Sequence, residues 1–294
     1  MRWLAAVVVA VALCAAACGG EDPAGSAEDD NLEAGTPHAL LLHGGEKATP
    51  SARLVDYGGP VVENARVVAV LWGSAVDGEV AARIGDFYRA LVASSYFSWL
   101  KEYDTARQKI GRGALEGVFT IAPAHPAASL TDAQIEKELA AQIRKGALPA
   151  AGANTLYLVH LPPGVRVQMG GSGSCEAGGF CGYHSAFRAG RAHVRYAVLP
   201  DMGRGSGCDT GCGGGSPFAA VTSVASHELV EAVTDPDVGL ARGLSAPLAW
   251  YDAAHGEIGD ICAGHEGKLR AGGAVWTVQK QWSNRAAACV LAGR

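Results

Sequence analysis

Apolar residues run almost without a break through Arg66-Val-Val-Ala-Val-Leu-Trp72 and through Leu156-Tyr-Leu-Val-His160-Leu161. Runs that apolar and that rich in β-branched residues predict strands covered on both faces, in the middle of a sheet. Leu115 to Ala122 predicts another strand. Residues 193–199 instead alternate, with Val194, Tyr196 and Val198 set against Arg195 and Ala197. Together with Ser185 to Phe187 this predicts a hairpin turning at Ala189-Gly190.

Helical spacing appears between these runs. Val80, Ile84, Phe87, Tyr88 and Leu91 recur three and four apart, and Ser95 to Tyr103 predicts a second, short helical piece. Thr131-Asp-Ala-Gln134 is a capping-box start, Ile135, Leu139 and Ile143 form one apolar stripe, and Lys145-Gly146 is a stop, so this helix covers a sheet with its charges outside. The densest pattern is Ser216 to Pro236. Ser216 suits an N-cap, Pro217 the first helical position, and Asp235-Pro236 a stop. At 100° per residue Phe218, Val221, Ala225, Leu229, Ala232 and Val233 share one face. His227 and Glu231 fall together on the opposite side, with Glu228 on the flank. No Lys or Arg interrupts this helix, so its polar trio is expected to be semi-buried.

The remainder, Trp250-Tyr-Asp252, Glu257-Ile-Gly-Asp260-Ile-Cys262 and Val275 to Trp282, reads as loops with a short strand or two, and no internal repeat is present. These elements predict a single α/β (α+β) domain with a mixed β-sheet, covering helices and a late helix bearing the chemistry. Residues 56–294 are assigned to it. Residues 1–17, with Arg2 ahead of an apolar run ending in small residues, have the form of an export signal and are too short for a comfortable transmembrane helix. Cleavage before Cys18 would leave a cysteine for diacylation, as in a bacterial lipoprotein; ordinary cleavage and free secretion is the alternative, since Ala15 stands where such signals favour Leu. Residues 18–55 read as a tether, acidic and small at first, with Ala39-Leu-Leu-Leu42 open to either strand or linker.

Composition changes the picture in two respects. With 49% hydrophobic and 18% charged residues the 294-residue chain has ample material for a core, and a net charge of −5 without a basic run excludes a nucleic-acid binder. A monomer touching the membrane only through its lipid anchor is expected, in the bacterial cell envelope or secreted. The 40 glycines concentrate in 170–182 and 203–215, loops that need staples. Six cysteines remain in the exported part, and an oxidising compartment favours disulfides. Spacing suggests Cys175–Cys181, Cys208–Cys212 and Cys262–Cys289. A zinc cage of the first four is the rival, although the spacings lack a CxxC form.

His227-Glu228-Leu-Val-Glu231 resembles the zincin signature HExxH with Glu at the last position. Two ligands four apart point at one metal, and the Glu beside the first polarises a bound water. By that resemblance His227 and Glu231 are metal ligands and Glu228 the general base. A third ligand is expected from Glu257 or Asp260, then from His184, with Asp252 and His255 ranked lower. Zinc is the expected metal. Calcium is the alternative, because Glu231, Asp235, Asp237, Glu257 and Asp260 are hard oxygen donors. The bland reading is a buried hydrogen-bond network joining His227, Glu228 and Glu231 to Trp250, Tyr251 or the 279–284 segment.

More widely spread are Tyr57-Gly-Gly-Pro-Val61, Val68-Ala-Val-Leu-Trp-Gly73, Gly179-Phe-Cys-Gly-Tyr-His184, Cys208-Asp-Thr-Gly-Cys212, Ser226 to Pro236, Glu257 to Cys262, Trp282-Ser-Asn284 and Cys289. This set resembles the phosphate-induced, or exordium-like, protein family and its bacterial relatives. The resemblance implies a secreted or cell-surface protein, linked in plants to growth and the cell wall, without an established reaction. Many plant members lack the His-Glu pair kept here at 227 and 228. Two expectations follow. The first is an exported metal-dependent hydrolase, a metallopeptidase using a zinc-activated water on a peptide or cell-wall substrate. The second is a non-catalytic extracellular protein binding a glycan or a protein partner.

Overall fold

The computed structural model describes residues 32–33, 38–41, 51–124 and 126–293. The signal, Cys18 and most of the tether lie outside the described residues. Strands β1 (Leu32–Glu33), β2 (His38–Leu41), β3 (Val55–Asp56) and β4 (Arg66–Trp72) precede helices α1 (Gly78–Val92) and α2 (Ser95–Ser98). Then come β5 (Ala114–Ile121), β6 (Ser129–Thr131), α3 (Asp132–Arg144), β7 (Thr155–His160), β8 (Arg166–Met169) and β9 (Ser172–Gly173). The long hairpin β10 (Phe180–Ala189) and β11 (Ala192–Leu199) leads to α4 (Pro217–Thr234). Strands β12 (Trp250–Tyr251), β13 (Glu266–Ala271), β14 (Ala274–Gln279), β15 (Gln281–Ser283) and β16 (Ala288–Val290) complete the order.

The architecture is mixed α/β. The main sheet runs β1-β10-β11-β7-β4-β5, with β2 also on β10. Its centre, β11-β7-β4-β5, is parallel, and β10 pairs antiparallel with β11, β1 and β2. Every residue of β7 and all of β4 but Arg66 are buried, as two covered faces require. The pleat divides β4 between two cores. Val67, Ala69 and Leu71 pack with α1 and α4, while Val68, Val70 and Trp72 pack with Ile135 and Leu139 of α3.

Local chemistry starts the helices where the sequence indicates. Asp77 caps α1 by accepting from the amides of Glu79 and Val80, Thr131 and Gln134 make the capping box of α3, and Ser216 accepts from Ala219 N at α4. The outer face of α3 is less exposed than its pattern suggests. Glu136 and Glu138 are buried, Glu136 accepting from the Tyr196 hydroxyl at 3.1 Å and Glu138 from Ala124 N at 3.0 Å.

Helix α4 is not semi-buried; from Ala220 to Thr234 every residue is buried. The sheet, α1 and the β13–β14 hairpin enclose it, as expected of a helix without a solvated face. That hairpin and the short β15–β16 pair give the C-terminal part more strand than its pattern suggests. Packing also begins before residue 56, since Ala52 and Leu54 are buried in the α4-side core. Ala39 to Leu41 belongs to a strand.

Two of the expected disulfides are corrected. Cys175 bonds to Cys208 and Cys181 to Cys212, while Cys262–Cys289 is as expected. Sequence proximity misleads because the two Gly-rich loops lie side by side. Cys208 Sγ approaches Phe180 O at 3.9 Å and Cys181 Sγ approaches Gly211 O at 3.8 Å. The staples therefore join one loop to the other, and with Cα–Cα separations of 4.5 and 5.3 Å they fix the start of β10 against the approach to α4.

Candidate metal centre

Three elements meet on the polar side of α4. The helix supplies His227, Glu228 and Glu231 one turn apart, β10 supplies His184, and the segment before Cys262 supplies Glu257 and Asp260. His184 lies on the pleat face shared with Gly182, the face toward α4; Tyr183 points the other way, its hydroxyl donating to Asp132 at the start of α3. The Cys181 staple lies three residues before His184, and the Cys262 staple follows Asp260 by two.

The side chains of His184, His227, Glu228 and Glu257 are 0% exposed and that of Glu231 is 1%. Glu231 is the hub. Its Oε1 accepts from the amides of Gly259 and Asp260, both at 3.0 Å. Its Oε2 lies 3.0 Å from His227 Nε2 and 3.6 Å from His184 Nδ1. His184 Nδ1 is also 3.4 Å from Glu228 Oε2, and its Nε2 is 3.5 Å from Glu257 Oε1. Two groups of ligand-type atoms result, each within 4.8 Å: His227 with Glu228 and Glu231, and His184 with Glu231 and Glu257.

Electrostatics follow from burial. Desolvation alone would lower the pKa of His184, but Glu257, Glu228 and Glu231 outweigh it and hold the imidazole well above its ordinary value. Burial pushes the Glu228 carboxyl up, opposed by His184 and His227. Tyr251, outside the cluster, is raised to about 12, first by burial and then by the field of Glu257, Asp260, Asp235 and Glu231.

Gln279 of β14 orients His227. Its Nε2 lies 2.8 Å from both Gly259 O and His227 Nδ1. A carbonyl oxygen only accepts, so the amide nitrogen is the atom placed there and Nδ1 accepts its second hydrogen. The ring proton then sits on Nε2, which makes no hydrogen bond despite the 3.0 Å approach of Glu231. Both Glu228 oxygens likewise lack a hydrogen bond.

Glycine is required at two places around the cluster. A Cβ on Gly259 would stand 2.6 Å from His227 Nδ1 and 2.8 Å from Glu231 Oε1, and one on Gly182 would stand 2.9 Å from Glu228 Oε1. Both backbones press directly on side chains of the cluster.

Of the expected site residues, the ligands His227, Glu231, Glu257 and His184 and the expected base Glu228 come together. Asp260 stays at the rim, its Oδ1 3.9 Å from His227 Nε2 and its Oδ2 accepting from Glu257 N. Asp252 is not part of the centre. It folds its own turn, accepting from Arg53 N, Ala254 N and His255 N, and pairs with His255 Nδ1 at 2.9 Å. The five-acid calcium set does not assemble, because Asp237 is held by Arg195 at 2.8 and 3.2 Å and Asp235 accepts from Ala249 N. Contact of the network with the 279–284 segment is real and made by Gln279. Its role was not readable, since Gln279 stands in an ordinary strand pattern.

No protein-family model, no curated protein and no solved structure matches the chain.

Proposed function

We propose that the protein is an exported metal-dependent hydrolase acting on peptide bonds, its centre built around Glu231 on the buried side of α4. The observation that carries this reading is the 3.0 Å approach of His227 Nε2 to Glu231 Oε2 without a hydrogen bond, inside a cluster of three buried carboxylates and two buried imidazoles. Two ligands of a tetrahedral ion with bonds of ~2.0–2.2 Å stand roughly 3.4 Å apart. The mixed nitrogen and oxygen donors suit zinc better than calcium, which takes oxygen alone. Negative charge this deeply buried also favours a cation.

In this reading His227 and Glu231 hold the ion, with His184 and Glu257 on the far side of Glu231. Zinc supplies a polarised carbonyl and a water acidic enough to attack at neutral pH. The protein's own residues do the rest. The Glu231 carboxylate is aimed by the Gly259 and Asp260 amides. Glu228 takes the proton of the attacking water and passes it to the leaving amine, and its upward-shifted carboxyl is suited to both steps. His184, facing Glu228 and Glu257, balances their charge.

Glu228→Gln tests the assignment. Hydrolysis of a quenched fluorescent peptide library is expected to fall about a hundredfold or more, with metal content unchanged. Loss of metal from that variant would instead make Glu228 a ligand, overturning its role as base.

A second reading is favoured by one observation, the acceptor role of His227 Nδ1 toward Gln279, which leaves a proton on the nitrogen that would bind the ion. In that reading the cluster is a closed polar network, and the protein is a non-catalytic, exordium-like surface module binding a glycan or protein. Retained binding after joint substitution of His227 and Glu231, with no peptide hydrolysis in the parent, distinguishes it.

A further inference from the structure

The outer side of β10 carries two short pieces of the chain, β1 against residues 188–189 and β2 against residues 180–184. The pairing is antiparallel, with His38 opposite His184, Ala39 opposite Tyr183 and Leu40 opposite Gly182, and the register then shifts between Gly182 and Phe180. This is the stretch of β10 that borders the buried cluster: His184 is a member of it, and Gly182 brings the backbone against Glu228. We propose that β2 is an exchangeable plug, and that the β10 edge it occupies is a binding surface for an extended peptide lying antiparallel along residues 180–184.

Several observations carry this. An extended segment already fills the edge, which shows the backbone groups of β10 to be aimed outward for strand addition, and main-chain hydrogen bonds of that kind make few demands on sequence. Strand β2 has four residues and a shifted register, whereas β10 pairs with β11 in continuous register from Tyr183 to Ala189. The weaker pairing is the one that can leave. The edge survives its departure, because the Cys181–Cys212 bond and the β11 ladder hold β10 from its other side. A preformed edge binds a strand at lower entropic cost. Exchange of β2 would also give an extended peptide a route beside His184 toward a cluster that is otherwise closed.

The inference deepens the proposed hydrolase by assigning the binding mode of its peptide, and its test reads binding rather than turnover. The probe is a fluorescein-labelled synthetic copy of residues 37–42, titrated by anisotropy into the full exported chain with and without EDTA. In the intact protein β2 competes at an effective concentration on the order of millimolar. A variant carrying Ala39→Pro and Leu40→Pro, which removes β2 amide donors from the ladder, is therefore expected to bind the probe about tenfold or more tightly than the parent. Equal or absent binding in a variant that still melts cooperatively overturns the proposal. Hydrogen exchange on the unaltered protein decides the case in which the double variant does not fold. The amides of 38–41 are expected to exchange far faster than those of β11 and faster still with unlabelled probe in excess; protection equal to that of β11, unmoved by the probe, overturns it. Binding that persists in EDTA keeps this inference standing even where the metal reading fails.

Discussion

At the scale of single residues, the cluster is shaped by a side chain outside its ligand-type groups. Gln279 holds His227 by its Nδ1 and ties the same ring to Gly259 O. With Nδ1 accepting from Gln279, the ring proton is held on Nε2, the nitrogen that would bind an ion. Gln279→Leu, which frees the ring to take the other tautomer, is accordingly expected to tighten zinc binding by about tenfold or more in a competition titration against a chromophoric chelator, without loss of cooperative unfolding; unchanged affinity would remove Gln279 from the centre. His160 makes a separate prediction. It is buried against the Tyr88 hydroxyl at 2.9 Å, and burial lowers its pKa from 6.5 to about 3. The unfolded chain thus takes up a proton below pH 6.5 that the folded one refuses, so this contribution to stability is complete above that pH and lost as the pH falls toward 3. Urea unfolding is expected to show a slope contribution of up to about 1.4 kcal/mol per pH unit in that window, absent in His160→Asn. A variant with the parent's pH profile would contradict it.

At the scale of elements, the helices and central strands were readable because their patterns are local. Ser216, Thr131 and Gln134 mark helix starts, and the buried runs 66–72 and 155–160 mark the parallel core. The HExxE spacing was likewise readable, because four residues is one turn. What sequence could not supply was the meeting of distant segments. His184 ranked behind Glu257 and Asp260 as third ligand, yet sits between Glu228 and Glu257, since strand β10 begins earlier than its alternation shows. The two disulfide pairings expected within the Gly-rich loops were wrong for the same reason: they depend on two loops lying side by side, and chain proximity is silent on that. Non-reducing peptide mapping of the purified protein is expected to recover Cys175 linked to Cys208 and Cys181 linked to Cys212. Recovery of Cys175 linked to Cys181 would contradict the arrangement of the Gly-rich loops. Removing the 181–212 bridge, which spans 31 residues, is expected to cost about 3–4 kcal/mol of stability by the chain-entropy relation.

At the scale of the whole molecule, a helix with almost no solvent contact is carried between a mixed sheet and a C-terminal hairpin, and its acidic side is closed by the segment ending at Cys262. Among the described residues no helix is long and apolar enough to cross a membrane. The central claim is that this buried acidic side is built to hold a metal ion. Elemental analysis of the purified protein tests it most directly: about one zinc per chain is expected, lost in His227→Ala, whereas a folded parent with no stoichiometric metal, unchanged by that substitution, would contradict it.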